Sequence, residues 1–110
     1  MNTDESIKAN AVKIAAINDE FRRNMSGCMV TKGVAKFAPF MNEIFVMVRE
    51  YTDFSEDNDP YGEHDFGSFV KFATKFFWKI DYYDENLEGY CDPLSDACRR
   101  QLTIMTAEEY

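Results

Sequence analysis

Apolar residues recur at helical spacing near the start of the chain, with Ile7, Ile14, Ile17 and Phe21 on one face and Ala11, Val12 and Ala15 thickening it. This pattern predicts a helix running to about Asn24. Thr3 or Asp4 can cap its first turn, and Arg22 and Arg23 suit its negative C-terminal end. Asn24-Met25-Ser26-Gly27 breaks the period, after which Cys28-Met29-Val30-Thr31 reads as a short strand stopped by Gly33. Pro39 is well placed in the first turn of a second helix, where its missing N–H costs nothing. Phe40, Ile44, Met47, Val48 and Tyr51 give that helix one apolar face, and it should end near Thr52.

The second half changes period. Ser55 to Gly67 is a polar loop rich in Asp, Asn, Pro and Gly, each a turn former through its own backbone chemistry. Phe66–Phe72 and Phe76–Tyr83 are rich in aromatic and β-branched residues, and the short Ala73-Thr74-Lys75 link makes them an antiparallel hairpin. Within the second strand Phe76, Trp78, Ile80 and Tyr82 alternate with Phe77, Lys79, Asp81 and Tyr83, and the first set should face the core. Asp84 to Cys98 is a second acidic excursion, with one helical turn after Pro93, and Leu102–Thr106 closes the chain as a strand. The order helix, strand, helix, strand, strand, strand gives an α+β two-layer sandwich: two helices packed on a small antiparallel sheet of three to four strands. Residues 1–110 form one domain, with no internal repeat and no low-complexity segment.

Composition narrows the class. At 45% hydrophobic, with ten Phe, six Tyr and Trp78, the chain can bury an adequate core without a cofactor or disulfides. No apolar run approaches the roughly 20 residues of a membrane span, and the acidic start Met1-Asn2-Thr3-Asp4-Glu5 is unlike a signal peptide, so a cytoplasmic location is expected. Cys28, Cys91 and Cys98 are odd in number and lack CxxC spacing, which argues for reduced thiols and against a zinc site. Twelve Lys and Arg stand against 20 Asp and Glu, a formal charge of -8 that argues against nucleic-acid binding. The acids fall in two stretches. No Lys or Arg interrupts Glu50, Asp53, Glu56, Asp57, Asp59, Glu63 and Asp65, and a second run holds Asp81, Asp84, Glu85, Glu88, Asp92 and Asp96.

The most distinctive sequence is Asp57-Asn58-Asp59-Pro60-Tyr61-Gly62-Glu63-His64-Asp65-Phe66-Gly67, followed by Phe76-Phe77-Trp78-Lys79-Ile80-Asp81-Tyr82-Tyr83-Asp84. With Thr31-Lys32-Gly33-Val34 and the ending Leu102 to Tyr110, these residues resemble the bacterial domain-of-unknown-function 3768 family, in order and over nearly the whole chain. The resemblance implies a bacterial or mobile-element protein and brings no established activity. The stretch Lys36-Phe37-Ala38-Pro39-Phe40 is bulkier and more apolar than the family pattern, which core packing would explain more simply than a contact surface.

Chemistry at the loop has three readings. A calcium loop begun at Asp57 would find carboxylates at Asp57, Asp59, Glu63 and Asp65 with Gly62 at the turn, but Tyr61 and Ser68 fall where ligands are needed. His64 between Glu63 and Asp65 could form an acid/base pair, yet neither a serine elbow nor a phosphate-binding glycine loop accompanies it. The plain reading is structural: Asn58, Asp59 and Asp65 bond backbone N–H groups, Pro60 and Gly62 fix the turn, and His64 satisfies a buried acceptor.

No catalytic residue, metal or cofactor is therefore assigned. The expected function is that of a small acidic binding protein of a mobile element or phage, of the anti-CRISPR or anti-restriction type, whose carboxylates occupy a basic nucleic-acid-binding surface of a host protein as a DNA mimic. The candidate contact residues are Glu56, Asp57, Asp59, Glu63, Asp65, Phe77, Tyr83, Glu85 and Glu88, with Phe77, Tyr83 and Tyr61 as an aromatic patch. The alternative is a small enzyme or metal-binding protein centred on Glu63, His64 and Asp65. The charge balance carries one direct prediction: micromolar protein should not retard duplex DNA or RNA at about 150 mM salt, and clear retardation there would refute it.

Overall fold

The computed structural model describes residues 4–89 and 91–110. Helix α1 spans Asp4–Asn24, so Asp4 begins the helix and Thr3, the other candidate cap, lies outside the described residues. Strand β1 is Met29–Val30, followed by the short helix α2, Lys32–Ala35, which the sequence reading did not foresee. A 3-10 turn, Ala38–Phe40, carries Pro39 at its start and leads into α3, Met41–Arg49. Strands β2 (Phe66–Lys71), β3 (Thr74–Tyr83) and β4 (Arg99–Thr106) follow, and a final 3-10 turn spans Ala107–Glu109. No helical turn forms after Pro93, where the chain makes hydrogen-bonded turns instead. None of the described helices is long and apolar enough to cross a membrane.

The strands form one sheet in the order β1-β4-β3-β2. The α+β sandwich stands, with one difference: β1 runs parallel to β4, so the sheet is mixed, while the other two pairings are antiparallel. The hairpin register pairs Lys71 with Thr74, leaving a two-residue turn at Phe72 and Ala73 in place of the expected Ala73-Thr74-Lys75 link. Both turn residues have positive φ, 53° and 56°, the geometry that matches strand twist in tight hairpins but is usually filled by Asn or Gly. Phe72 is held there by its ring, which meets Phe40 at 5.0 Å and Phe37 at 5.9 Å. Phe37 thus packs against the core, whereas Phe40 remains 49% exposed and meets Phe72 at the surface.

The core lies between the helices and one sheet face. Phe76, Trp78 and Ile80 of β3 point into it as expected, joined by Phe69, Leu102 and Ile104 and covered by Val34, Ile44, Val48 and Tyr51. Gly67 is required opposite Trp78, because a Cβ there would run into the indole Nε1 and lie 2.7 Å from Tyr51 Cζ. That Nε1 is buried and has no hydrogen-bond partner among the described residues. At the far end, Glu109 accepts hydrogen bonds from Thr31 Oγ1, from Gly33 N at 2.9 Å and from Thr106 N at 2.9 Å, clamping the end of the chain over β1 and α2. These donors hold its carboxyl near 2, well below the ordinary 4.5.

Helix α1 departs most from its sequence reading. Ile14, Ala15, Asn18 and Arg22 are buried, whereas Ile7, Val12 and Ile17 are exposed. The buried stripe is thus rotated toward polar residues. Arg22 does not sit at the exposed end of the helix: only 1% of it remains accessible. Its Nε donates to Val48 O (2.9 Å), Nη2 to Tyr51 O (3.1 Å) and Nη1 to Asp19 Oδ1 (2.9 Å), while the guanidinium lies 5.1 Å from the Trp78 ring and 5.5 Å from Phe54.

Removing Arg22 would leave Tyr51 O without this donor, take one of two donors from Val48 O and one of two partners from Asp19, and empty a guanidinium-sized space beside Trp78 and Phe54. Arg22→Ala should therefore lower the unfolding free energy by about 3–5 kcal/mol, against about 0.5 kcal/mol or less for the exposed neighbour Arg23→Ala. Denaturant titration of both variants checks this, and equal losses would contradict it.

Candidate functional site

The loop between α3 and β2 is built from the turn chemistry its composition implies. Asn58 Oδ1 accepts from Ser55 N (3.0 Å) and Asn58 Nδ2 donates to Asp53 O (2.8 Å), while Asp59 N donates to Ser55 O (2.8 Å). Gly62, at φ +70°, donates its N–H to Asp59 O at 3.0 Å. The Asp59 carboxylate accepts from His64 N at 3.1 Å and is itself buried. Asp59 is therefore committed to the loop and is not presented to a partner. Asp65 stands at the entry to β2, where its carbonyl accepts from Ile80 N (2.8 Å).

His64 sits at φ 56°, a left-handed conformation that costs a non-glycine residue about 1 kcal/mol. Its ring secures it. Nδ1 is 3.0 Å from Asp19 Oδ1, Nε2 is 3.6 Å from Asp59 Oδ2, and the imidazole stacks on Phe54 with centroids 3.8 Å apart and planes 2° from parallel. Asp19 also pairs with Arg22, so the chain Arg22, Asp19, His64, Asp59 ties the loop to α1. The flanking acids that suggested an acid/base pair point elsewhere, Glu63 accepting from Tyr82 Oη at 3.0 Å. Asp19 escaped the sequence reading because it lies 45 residues from His64.

A second polar cluster sits beside the first. Buried Asn18 donates from Nδ2 to Glu63 O (2.9 Å) and to Tyr82 Oη (2.8 Å), and its Oδ1 accepts from Arg100 Nε (2.6 Å). Arg100 also reaches Pro93 O (2.7 Å) and lies 5.2 Å from the Tyr82 ring. Ile14, Asn18 and Arg22 are four apart, so this stripe was present in the sequence as polar residues in register with an apolar one.

Beyond Tyr82 opens an acidic cleft of about 540 Å³, lined by Glu63, Asp65, Asp81, Tyr83 and Glu88 among others. Burial, then the neighbouring charge of Glu63, raises the Asp65 carboxyl from 3.8 to about 6, with Asp59 and Asp81 adding to the effect. Burial also raises the Tyr82 hydroxyl above its ordinary value. Asp81 is partly neutralised by Lys79, 2.9 Å away. Across the loop, an apolar groove of about 700 Å³ runs between α1 and Pro60, Tyr61 and Gly62, and exposed Ile7, Val12 and Tyr61 line it. Glu63 borders both cavities.

The other candidate residues divide between these places. Glu56 edges the apolar groove, Asp57 is exposed on the loop, and Glu85 is exposed on the turn after β3. That turn is organised by Asp84, whose carboxylate accepts from Glu88 N (3.0 Å) and Asn86 N (3.1 Å), bonds that lower its pKa. The single aromatic patch is not formed. Phe77 lies on the opposite sheet face against Tyr110 (4.9 Å) and Phe66 (5.3 Å), Tyr83 lines the cleft about 20 Å further along β3, and Tyr61 stands by α1. No group of three or more His, Cys, Asp or Glu side chains among the described residues could hold a metal ion.

Fold and loop together define a small α+β domain in which an Asp- and His-bearing loop is clamped between an N-terminal helix and a mixed sheet. The chain belongs to the DUF3768 family of proteins of unknown function, whose model matches residues 30–109. Helix α1, source of Asn18, Asp19 and Arg22, precedes the matched segment. No curated protein and no solved structure matches the chain.

The Asp65 environment sets a pH dependence. Its folded value near 6 exceeds the ordinary 3.8, so the folded state binds the proton more tightly. The associated stability is complete below about 3.8 and is lost as pH rises through about 6. Asp65→Asn, which cannot ionise, should be the more stable protein at pH 8, by about 1 kcal/mol once solvent screening of this half-buried group is allowed for. The advantage should vanish by pH ~3.5, and melting curves that show no such convergence would contradict the assignment.

Proposed function

We propose that the protein is a small binding protein that occupies a basic surface of another protein. A Lys or Arg side chain enters the acidic cleft, and an apolar side chain beside it rests in the groove across the loop. The carrying observation is the cleft itself, lined by Glu63, Asp65, Asp81 and Glu88: burial first, and then the charges of Glu63, Asp59 and Asp81, disfavour the ionised Asp65, and the repulsive part of that effect is what an incoming cation would relieve. Glu88 extends the cleft wall, and Glu56, Asp57 and Glu85 stand exposed without an ion pair among the described residues. Exposed acids of this kind steer association more than they stabilise the free chain.

The catalytic alternative is less well supported, because both His64 ring nitrogens face carboxylates and one ring face is covered by Phe54. A basic nucleic-acid-binding surface remains the preferred target. On that reading the chain acts as a phosphate mimic from a mobile element or phage, inhibiting a cytoplasmic host defence protein of the CRISPR or restriction kind. The charge of -8 and the two acidic stretches support it.

The test is charge reversal. Glu85→Lys with Glu88→Lys, and separately Glu56→Lys with Asp57→Lys, are compared with Phe77→Ala for affinity toward a partner captured from bacterial lysate. At low salt the first pair should weaken binding at least about tenfold, Phe77→Ala should leave it near wild type, and added salt should weaken the wild-type complex. Unchanged affinity in both reversal proteins would exclude electrostatic mimicry.

A further inference from the structure

The helices pack on one side of the sheet, and the side chains that alternate with the core residues of β3 stand on the other. In chain order these include Lys75, Phe77, Lys79 and Asp81. The register sets Phe66 of β2 beside Lys79 and Ser68 beside Phe77, and from β4 it sets Met105 beside Phe77 and Thr103 beside Lys79. Tyr110 rests on Phe66 and Phe77, yet 71% of it is exposed, and Val70, next to Lys75 on the same face, is 66% exposed. The face thus has an aromatic centre, with Lys75 toward the hairpin turn and Asp81 toward the other end of β3. Asp81 pairs with Lys79 at 2.9 Å, while Lys75 has no ion pair among the described residues.

We propose that this sheet face is a homodimer interface, occupied by the same face of a second copy, with a two-fold axis over Trp78 that sets the two β3 strands antiparallel. The order of side chains along β3 selects this arrangement. The axis carries position 75 over 81 and position 77 over 79, so Lys75 meets the partner's Asp81 and the Phe77 ring meets the cationic side chain of the partner's Lys79. On the flanking strands each large side chain faces a smaller one, Phe66 against the partner's Ser68 and Met105 against the partner's Thr103. Symmetry makes every contact twice. Strands stacked parallel would instead place Lys75 on the partner's Lys75 and Asp81 on the partner's Asp81, like charges that oppose association.

The dimensions agree. Packed sheets cross at roughly 30°, and Lys75 and Asp81 each lie three residues, roughly 10 Å, from the axis, so the crossing displaces them by about 5 Å, within the span of a lysine side chain. Four strands spaced by about 4.8 Å give a face of roughly 20 by 25 Å, or about 1,000 Å² buried over both copies, the low end for a specific interface. The dimer should therefore be reversible on dilution. Asp65 alternates with Phe66, and Glu63 accepts from Tyr82, so both acids of the cleft turn to the helix side and dimerisation does not depend on what the cleft binds.

Sedimentation velocity on the full chain tests the face, at about 150 mM salt to damp the repulsion between two chains of net charge -8. The mass should rise from monomer toward dimer, and no further, as protein increases from about 1 to about 300 µM. Lys75→Glu and Asp81→Lys each act at both ends of the interface and should each weaken the dimer at least about tenfold. The double variant, Lys75→Glu with Asp81→Lys, restores opposite charges across the axis and should return to within about threefold of wild type, a recovery that misfolding of either single variant could not produce. A monomer at every concentration would leave the face to a different protein and overturn the proposal. Assembly beyond the dimer, single variants that associate like wild type, or a double variant no better than the singles would overturn it equally.

Discussion

Burial of Arg22 is the constraint from which the architecture follows. An isolated guanidinium in a core costs several kcal/mol, and here three kinds of partner offset that cost. Two are carbonyls at and beyond the end of α3, one is the Asp19 carboxylate a turn back on α1, and the faces of Trp78 and Phe54 complete the shell. One side chain thereby fixes α1 against α3, adds a donor to carbonyls at and beyond the helix end, and sets both over the middle of β3. Trp78, whose own N–H has no partner among the described residues, carries the cation on its ring. Such a network is unforgiving of rearrangement, because each alternative placement of α1 would leave a buried charge without a partner.

The loop inherits its position from this arrangement. Phe54 is held under Arg22, and His64 stacks on Phe54 while its Nδ1 meets the Asp19 carboxylate that Arg22 already holds. One helical turn earlier, Asn18 performs the same service for the other side of the loop, taking Glu63 O and Tyr82 together and passing its carbonyl oxygen to Arg100. A stripe of Ile14, Asn18 and Arg22 thus docks the helix, aligns the loop and sets one wall of the acidic cleft. The left-handed backbone of His64 is the strain such a clamp can hold.

The sheet was largely legible because period-two alternation is a local signal. Phe76, Trp78 and Ile80 were assigned inward from their spacing alone, and they are. Turn chemistry was equally readable at Asn58, Asp59 and Gly62. What failed was long-range. The helical face of α1 was rotated because Ile7, Val12 and Ile17 look like core, and nothing local announces that Asn18 and Arg22 are buried by partners many positions away. The parallel pairing of β1 with β4 joins residues at opposite ends of the chain and has no sequence signature. The family pattern marked the His64 loop and the aromatic strand but not their contact with a helix outside the matched segment.

The carboxylates fall into two groups with different energetics, and this separates structure from function on the same loop. Asp19 and Asp59 are satisfied, by Arg22, His64 and backbone N–H, and removing either would injure the fold. Asp65 is the reverse: the free domain would be better off without its charge, since burial and three neighbouring acids oppose its ionisation. An unfavourable charge persists in a stable domain when it is offset elsewhere, here by the Arg22 network and the aromatic core. A cation placed between Glu63, Asp65 and Glu88 would turn that liability into attraction. Its binding would lower the Asp65 pKa toward the ordinary value and release a proton wherever the carboxyl is still protonated, so cation and proton compete for one site. On the proposed reading the cleft would take the positive charge, while the neighbouring histidine, which looked the more reactive group, is already occupied in holding the loop.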